Sequence, residues 1–242
     1  NFLHYFNIYT FYSIWFTEKI MKYVKENKIN CLKINFEGQP YQNYFINLVK
    51  KNNPDIKIEA YIFATQPLPL HLLYNNQKID KIYVYDQQVK FQLFKRLGWK
   101  KEKIKFLKKK SIKKRIFKNK IFIGYGVHDP KGMLMSFKKL IYKEKMSFKK
   151  EDLKPHPVMK NSKNHKLLIK GILEIISNIK FEEKRVSNIV FGSTAIIPEI
   201  LTIEKEVFQI NNDLILESYS NYFWPKIKGE VIFKNVIKYY RK

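Results

Sequence analysis

The sequence contains very little cysteine. Cys31 is the single cysteine among 242 residues, so no disulfide can form within the chain. No group of cysteine and histidine residues has the spacing of a zinc site, and we expect no bound metal. A reducing compartment, the cytoplasm, fits this composition best.

Long apolar runs are missing as well. No stretch reaches the length of about eighteen apolar residues that marks a membrane-spanning helix. The aromatic segment 1–16 is interrupted by His4, Asn7 and Thr10, which makes it a poor signal peptide. The chain starts at Asn1 with a hydrophobic pattern already under way, so we expect part of the first domain to be missing. We predict a soluble or peripheral protein.

Acidic residues are scarce relative to basic ones. Forty-seven Lys and Arg residues stand against twenty-one Asp and Glu, a net charge of +26. Such an excess attracts polyanions or an anionic membrane surface, although the lysine bias of an AT-rich genome explains it equally well. Fourteen of the twenty-six residues in 95–120 are basic. This segment is interpreted as a solvated linker, with peripheral membrane contact as the alternative.

Hydrophobic residues make up 45% of the chain, which is enough for a substantial core. Short apolar segments alternate with amphipathic helical patterns, and this alternation favours parallel sheets covered on both faces. Strands are predicted at 31–36, 57–64, 81–85, 120–125, 187–191 and 207–210, and helices at 13–27, 40–49, 89–97, 133–145, 167–179 and 231–240. The pattern predicts an α/β protein with two Rossmann-like domains, at 1–117 (including the basic linker) and 118–242.

Three loops combine polar side chains with glycine or proline at the ends of predicted strands or helices. They are Asn35 to Pro40, Lys154 to Pro157 and Gly192 to Thr194. Ligands bind to open parallel sheets at the carboxyl ends of the strands. Neither a dinucleotide fingerprint nor a P-loop is present, so the sequence does not support NAD or ATP chemistry.

These loops resemble motifs of a known enzyme group. In chain order, Glu37-Gly38, Lys154-x-His156-Pro157 and Gly192-Ser193-Thr194 are similar to the acidic-Gly, HP and Ser/Thr motifs of bacterial GT-B sialyltransferases, polysialyltransferases and related surface-polysaccharide transferases. The resemblance implies two Rossmann-like domains that face each other across a cleft. It also implies a metal-independent glycosyltransferase without a cofactor, which moves a sugar such as CMP-activated sialic acid to a surface-polysaccharide or lipid-linked acceptor.

The resemblance assigns roles to particular residues. Glu37 would be the general base that takes the acceptor proton, and His156 would stabilise the departing phosphate. The donor phosphates would be bound by Lys154, His156, Ser193 and Thr194. The cleft would be lined by Gly38, Gln39, Gln66, Gly124 and Gly126. Ordinary helix capping and a rigid proline turn are the structural alternatives for these residues. Asp86, at another predicted strand end, is a candidate for acceptor contact.

Other functions stay open at this point. A teichoic-acid-type polyol-phosphate transferase carries similar Lys-x-His-Pro and Ser/Thr elements. A polyanion-binding or nucleic-acid-binding protein would explain the charge, but no zinc finger, RRM or KH signature is visible and no specific nucleic acid is expected. A scaffolding role is the third alternative, because Phe36 stands where the family pattern has a second acidic residue. We expect a cytoplasmic protein, with the inner face of the membrane as a peripheral site.

Overall fold

The computed structural model describes residues 8–62, 76–107, 117–179, 181, 185–212 and 218–242. These residues fall into two compact units, of which the first ends at 107 and the second starts at 117. Both units are of the α/β class.

The first unit is built on a parallel four-stranded sheet with strand order β1-β2-β3-β4. Its strands are β1 (Cys31–Asn35), β2 (Lys57–Ile62), β3 (Lys81–Val84) and β4 (Ile104–Phe106), and its helices are α1 (Ile8–Glu26), α2 (Pro40–Asn52) and α3 (Gln87–Lys95). The order of the strands in the sheet therefore follows their order in the chain.

Local chemistry sets the ends of these helices. Pro40 occupies the first turn of α2, where its missing N–H costs nothing. Asp86 caps α3 by accepting hydrogen bonds from the backbone N–H groups of Gln88 and Val89. The structure therefore gives Asp86 a capping role. Gly98 follows α3 with a φ of 72°, which favours glycine.

The prediction that both faces of the first sheet are covered is wrong for the described residues. Ile58, Ala60 and Ile82 on one face are completely buried, whereas Lys57 and Lys81 on the other face are exposed. Right-handed crossovers in a sheet whose strands follow chain order place the connecting helices on the same side. Among the described residues, one face of this sheet is therefore accessible.

The basic segment 95–120 is only partly a linker. Ile104–Phe106 forms β4, whose backbone pairs with β3. The ammonium of Lys103 donates hydrogen bonds to the carbonyl oxygens of Gln77 and Ile79. The predicted linker thus contributes an edge strand, and residues 108–116 lie outside the described residues.

The second unit contains a six-stranded mixed sheet with the order β6-β5-β7-β8-β10-β9. Its strands are β5 (Ile121–Ile123), β6 (Leu153–Pro155), β7 (Asn188–Phe191), β8 (Glu206–Ile210), β9 (Ile227–Phe233) and β10 (Val236–Arg241), and its helices are α4 (Pro130–Lys143), α5 (Lys163–Ser177) and α6 (Ile196–Ile200). Strands β5 to β8 are parallel, as predicted, although β6 was not foreseen.

The core of this unit lies between the sheet and the helices α4 and α5. Phe137 and Leu168, one from each helix, pack with Ile121, Phe191 and Phe208 from the sheet in one buried cluster. Burial of such side chains contributes roughly 1.5 to 3 kcal/mol each.

The predicted closing helix at 231–240 is wrong. The segment forms the antiparallel hairpin β9–β10, and β10 also pairs with β8. Val236 and Tyr239 are buried, while Lys238 between them reaches the carboxylate of Glu206. Without β10, one edge of β8 would be unpaired. Pairing with that edge stabilises an extended backbone in this segment and outweighs its local helical preference.

Candidate functional site

The strand order of the second unit creates a divergence at the carboxyl edge of its sheet. β5 and β7 are neighbours, but the connection after β5 leads to β6 on one side and the connection after β7 leads to β8 on the other. Ligands of open α/β sheets bind at such a switch point. The two loops that diverge there begin at Gly124 and Gly192.

Two glycines let these loops pack closely. A Cβ atom on Gly124 would lie 2.5 Å from the carbonyl oxygen of Ser193, and one on Gly192 would lie 2.6 Å from that of Gly126. Gly192 also has a φ of 70°. Any side chain at Gly124 or Gly192 would force the loops apart. The structure therefore brings the predicted residues Gly124, Gly126 and Ser193 together.

Side chains from other elements brace the loop after β5. The amide of Asn212 donates to the carbonyl oxygen of Gly126 at 2.7 Å and accepts from the backbone N–H groups of His128 and Asp129. His165, almost fully buried, places Nε2 2.9 Å from the carbonyl oxygen of Gly124. This bond requires the proton on Nε2. His165 is structural, and the side chain of His128 is exposed.

His156 lies beyond the end of β6 and contacts the loop after β5. Its ring packs edge-on against Tyr125, with 4.5 Å between the ring centroids. The backbone N–H of Val158 donates to Nδ1 at 3.3 Å, which places the proton of the neutral ring on Nε2. The ring is half-buried. His156 is thus oriented, and Nε2–H is a donor suited to a phosphate oxygen.

Ser193 and Thr194 follow β7 but do not start a helix directly. The short α6 starts at Ile196, whose backbone N–H is 3.4 Å from the Thr194 hydroxyl. The helix therefore begins two residues after Thr194, and the binding of a phosphate by Ser193 and Thr194 stays a prediction. Pro198 explains the later start, because within the first turn its missing N–H leaves no hydrogen bond unmade. Both hydroxyl-bearing residues are half-buried at the switch point.

Lys154 differs in position from the other predicted phosphate ligands. It lies within β6, paired in register with Phe122, and its side chain is exposed on this edge strand. The structure therefore places its backbone on the strand, whereas His156 lies in the loop that follows.

The loop with Glu37 belongs to the first unit and follows β1. The side-chain oxygen of Gln42 accepts hydrogen bonds from the backbone N–H groups of Glu37 and Gln39, and its amide donates to Asn35. Gly38 has a φ of 73° and is buried. The carboxylate of Glu37 is exposed at the carboxyl edge of the first sheet, and Gln66 lies outside the described residues.

Compared with protein-family models and with curated proteins, the chain matches none of them. Among the described residues, no helix is long and apolar enough to cross a membrane, and no three His, Cys, Asp or Glu side chains are grouped to hold a metal ion.

Sequence reasoning missed Asn211 and Asn212, which follow β8 at the same edge. Asn212 braces the loop after β5, as described above. Asn211 is fully buried, and neither amide atom of its side chain has a hydrogen-bond partner among the described residues. Such a group normally binds water or a ligand. Two consecutive amides directly after a predicted strand were the available signal.

Each unit contains a groove, and the two grooves lie differently with respect to the carboxyl ends of the strands. A groove of about 610 Å³ runs along α5 and includes Pro155, the residue before His156. A groove of about 810 Å³ in the first unit lies between α1 and α2, away from the strand ends. Although the second groove is larger, chemistry at the strand ends favours the edge of the second sheet as the candidate site.

Proposed function

We propose that the chain is a sugar-nucleotide-dependent glycosyltransferase of the GT-B type whose second unit binds the donor phosphates. The observation that carries this proposal is the switch point between β5 and β7, where glycine loops meet beside an oriented histidine. The motif resemblance described above supplies the reaction class, and the carboxyl edge of the second sheet supplies a chemically suitable place.

The chemistry of donor cleavage suits the residues at this edge. When the glycosidic bond to the nucleotide breaks, negative charge grows on the leaving phosphate. Nε2–H of His156 donates to that phosphate, and the hydroxyls of Ser193 and Thr194 add neutral donors. Lys154 supplies a positive charge from the adjacent strand. Neutral and charged donors of this kind stabilise a leaving phosphate without a metal.

The acceptor hydroxyl must lose a proton as it attacks the sugar. In this proposal Glu37 takes that proton, because an exposed carboxylate on a loop held by hydrogen bonds to Gln42 can accept it from a bound hydroxyl. The donor is a CMP-activated sugar such as sialic acid, and the acceptor is a surface polysaccharide or a lipid-linked glycan.

A thermal-shift screen tests the donor site directly. A ligand that binds only the folded protein at 100 times its Kd stabilises it by about 2.7 kcal/mol. We expect CMP and CDP to raise the Tm and UDP and GDP to have little effect. His156→Ala should remove the shift, whereas His156→Gln, which keeps an N–H donor, should retain part of it.

Lys154→Gln and Lys138→Gln form a matched pair for the same screen. Both lysines are exposed in the second unit, but only Lys154 precedes the His156 loop. The response to cytidine nucleotides should fall in the first variant and persist in the second. A wild-type protein that responds to no nucleotide would contradict the donor site.

A further inference from the structure

The accessible face of the first sheet has an unusual composition. Exposed lysines stand on all four strands and two tyrosines on the central ones. Together they define what we call the lysine–tyrosine face: Lys33, Lys57, Lys81, Lys105, Tyr61 and Tyr83. Parallel sheets are normally covered on both faces. An accessible face with this charge is therefore a candidate binding surface.

Register places the tyrosines side by side at the centre of the face. Tyr61 on β2 is paired with Tyr83 on β3, and their rings stack with centroids 4.6 Å apart and planes 11° from parallel. Lys105 on β4 is the next residue in the same row. Both rings are half-buried. The row therefore places two adjacent aromatic rings beside one lysine, on strands about 4.8 Å apart.

Glu59 is the one acidic residue on the described part of this face, and its charge is offset. Its carboxylate accepts hydrogen bonds from both tyrosine hydroxyls and lies 3.6 Å from the ammonium of Lys81. Burial and the neighbouring Glu59 raise the pKa of both phenols, so the tyrosines stay neutral. The four lysines therefore dominate the potential of the face.

These features favour a polynucleotide over a membrane. Surfaces that bind a bilayer carry exposed apolar side chains that enter it. Over the described residues of its central strands, the lysine–tyrosine face lacks such aliphatic side chains. The aliphatic residues that alternate with it there, such as Ile58 and Ile82, point to the opposite, buried side of the sheet. Aromatic side chains flanked by lysines on a sheet are the arrangement on which unpaired bases stack while ammonium groups contact phosphates.

We propose that the lysine–tyrosine face binds single-stranded nucleic acid without sequence preference. Tyr61 and Tyr83 form the stacking platform, and the four lysines contact the phosphates. The proposal does not depend on the glycosyltransferase activity, because it concerns a different surface and a different ligand.

Fluorescence anisotropy with a labelled single-stranded oligonucleotide of about 12 nucleotides measures this binding. Replacing all four lysines of the face with glutamine should weaken binding by more than about 10-fold and lower the slope of log K against log salt by about 3. The control replaces four exposed lysines of the second unit, Lys138, Lys163, Lys166 and Lys205. It removes the same charge and should change the affinity by only about twofold.

The tyrosines are tested by two double variants whose folding is checked by circular dichroism and thermal melting. Leucine at both Tyr61 and Tyr83 keeps the apolar packing and removes the rings, and it should weaken binding by roughly 10-fold or more. Phenylalanine at both positions keeps the rings and removes the bonds to Glu59, and it should bind like the wild type.

Several results would overturn the proposal. One is an equal loss of affinity in the two lysine variants, because the effect would then come from net charge alone. Another is unchanged binding when leucine replaces both tyrosines. A third is equal affinity for duplex DNA, or tighter binding to vesicles with anionic lipids that the leucine variant retains.

Discussion

Replacing Gly124 with alanine should separate the two loops that meet at the carboxyl edge of the second sheet. The added Cβ atom would lie 2.5 Å from the carbonyl oxygen of Ser193 and 2.9 Å from that of Phe191. Both obstacles are backbone atoms, so no side-chain rotation relieves them. The backbone N–H of Gly124 also donates to Phe191 at 2.8 Å, and this bond would be strained by the same movement.

The cost follows from the distance that must be gained. The loops would have to move apart by roughly half an ångström, and overpacking of this kind costs about 1 to 3 kcal/mol. For a unit of this size, that free energy corresponds to a fall in Tm of about 3 to 10 °C. Binding of cytidine nucleotides should weaken as well, because the loop after β5 would shift relative to Ser193.

Calorimetry measures the loss of stability, and hydrogen exchange at the amides of Gly124 and Gly192 locates it. Gly229→Ala is the matched control, since its Cβ would meet side-chain atoms, of Tyr239 at 3.0 Å and Ile237 at 3.3 Å, rather than backbone atoms. We expect the control to change stability by less than about 1 kcal/mol. If Gly124→Ala melts like the wild type and responds equally to nucleotides, the close packing of the loops is refuted.

Three further predictions concern bracing, catalysis and pH. Asn212→Ala removes three hydrogen bonds to the loop after β5, including the one to Gly126, and should cost about 1 to 3 kcal/mol in urea unfolding; an unchanged midpoint would contradict the brace. Glu37→Gln should abolish sugar transfer in an assay with a CMP-activated donor but keep the thermal shift with CMP, and normal turnover would eliminate Glu37 as the base. Burial raises the pKa of Glu206, but hydrogen bonds from Lys238 and Arg185 outweigh it and lower the pKa below its ordinary value. The stability from Glu206 is therefore present above about pH 4.3 and lost as the pH falls through the lowered pKa. The difference in the free energy of unfolding between wild type and Glu206→Gln should therefore disappear at acidic pH and persist at basic pH.

Much of the fold could be predicted because apolar segments and turn residues act locally. The strands at 31–35 and 188–191 and the helix stop at Gly98 follow from burial and from backbone preferences that the residues carry with them. The hairpin at 227–241 could not be predicted in this way. The local sequence is compatible with both a helix and a strand. Pairing with β8, more than fifteen residues earlier in the chain, decides between them.

The candidate site was predictable in its residue types and less so in its geometry. Gly124, His156 and Ser193 stood out because polar or flexible residues next to strands mark ligand sites. The local sequence does not indicate that Asn212 braces Gly126, which lies eighty-six positions away in the chain. The position of the helix start after Thr194 also depends on Pro198, which is tolerated within the first turn of α6.

By itself the sequence determined the α/β class, the basic charge and the loops rich in polar residues, because these depend on composition and on short-range periodicity. The tertiary structure decided the strand order. In the part of the chain that the structure describes, that order leaves one face of the first sheet accessible and makes the loops after β5 and β7 meet in the second. Strand order arises from contacts between residues far apart in the chain, and such contacts have no local signature.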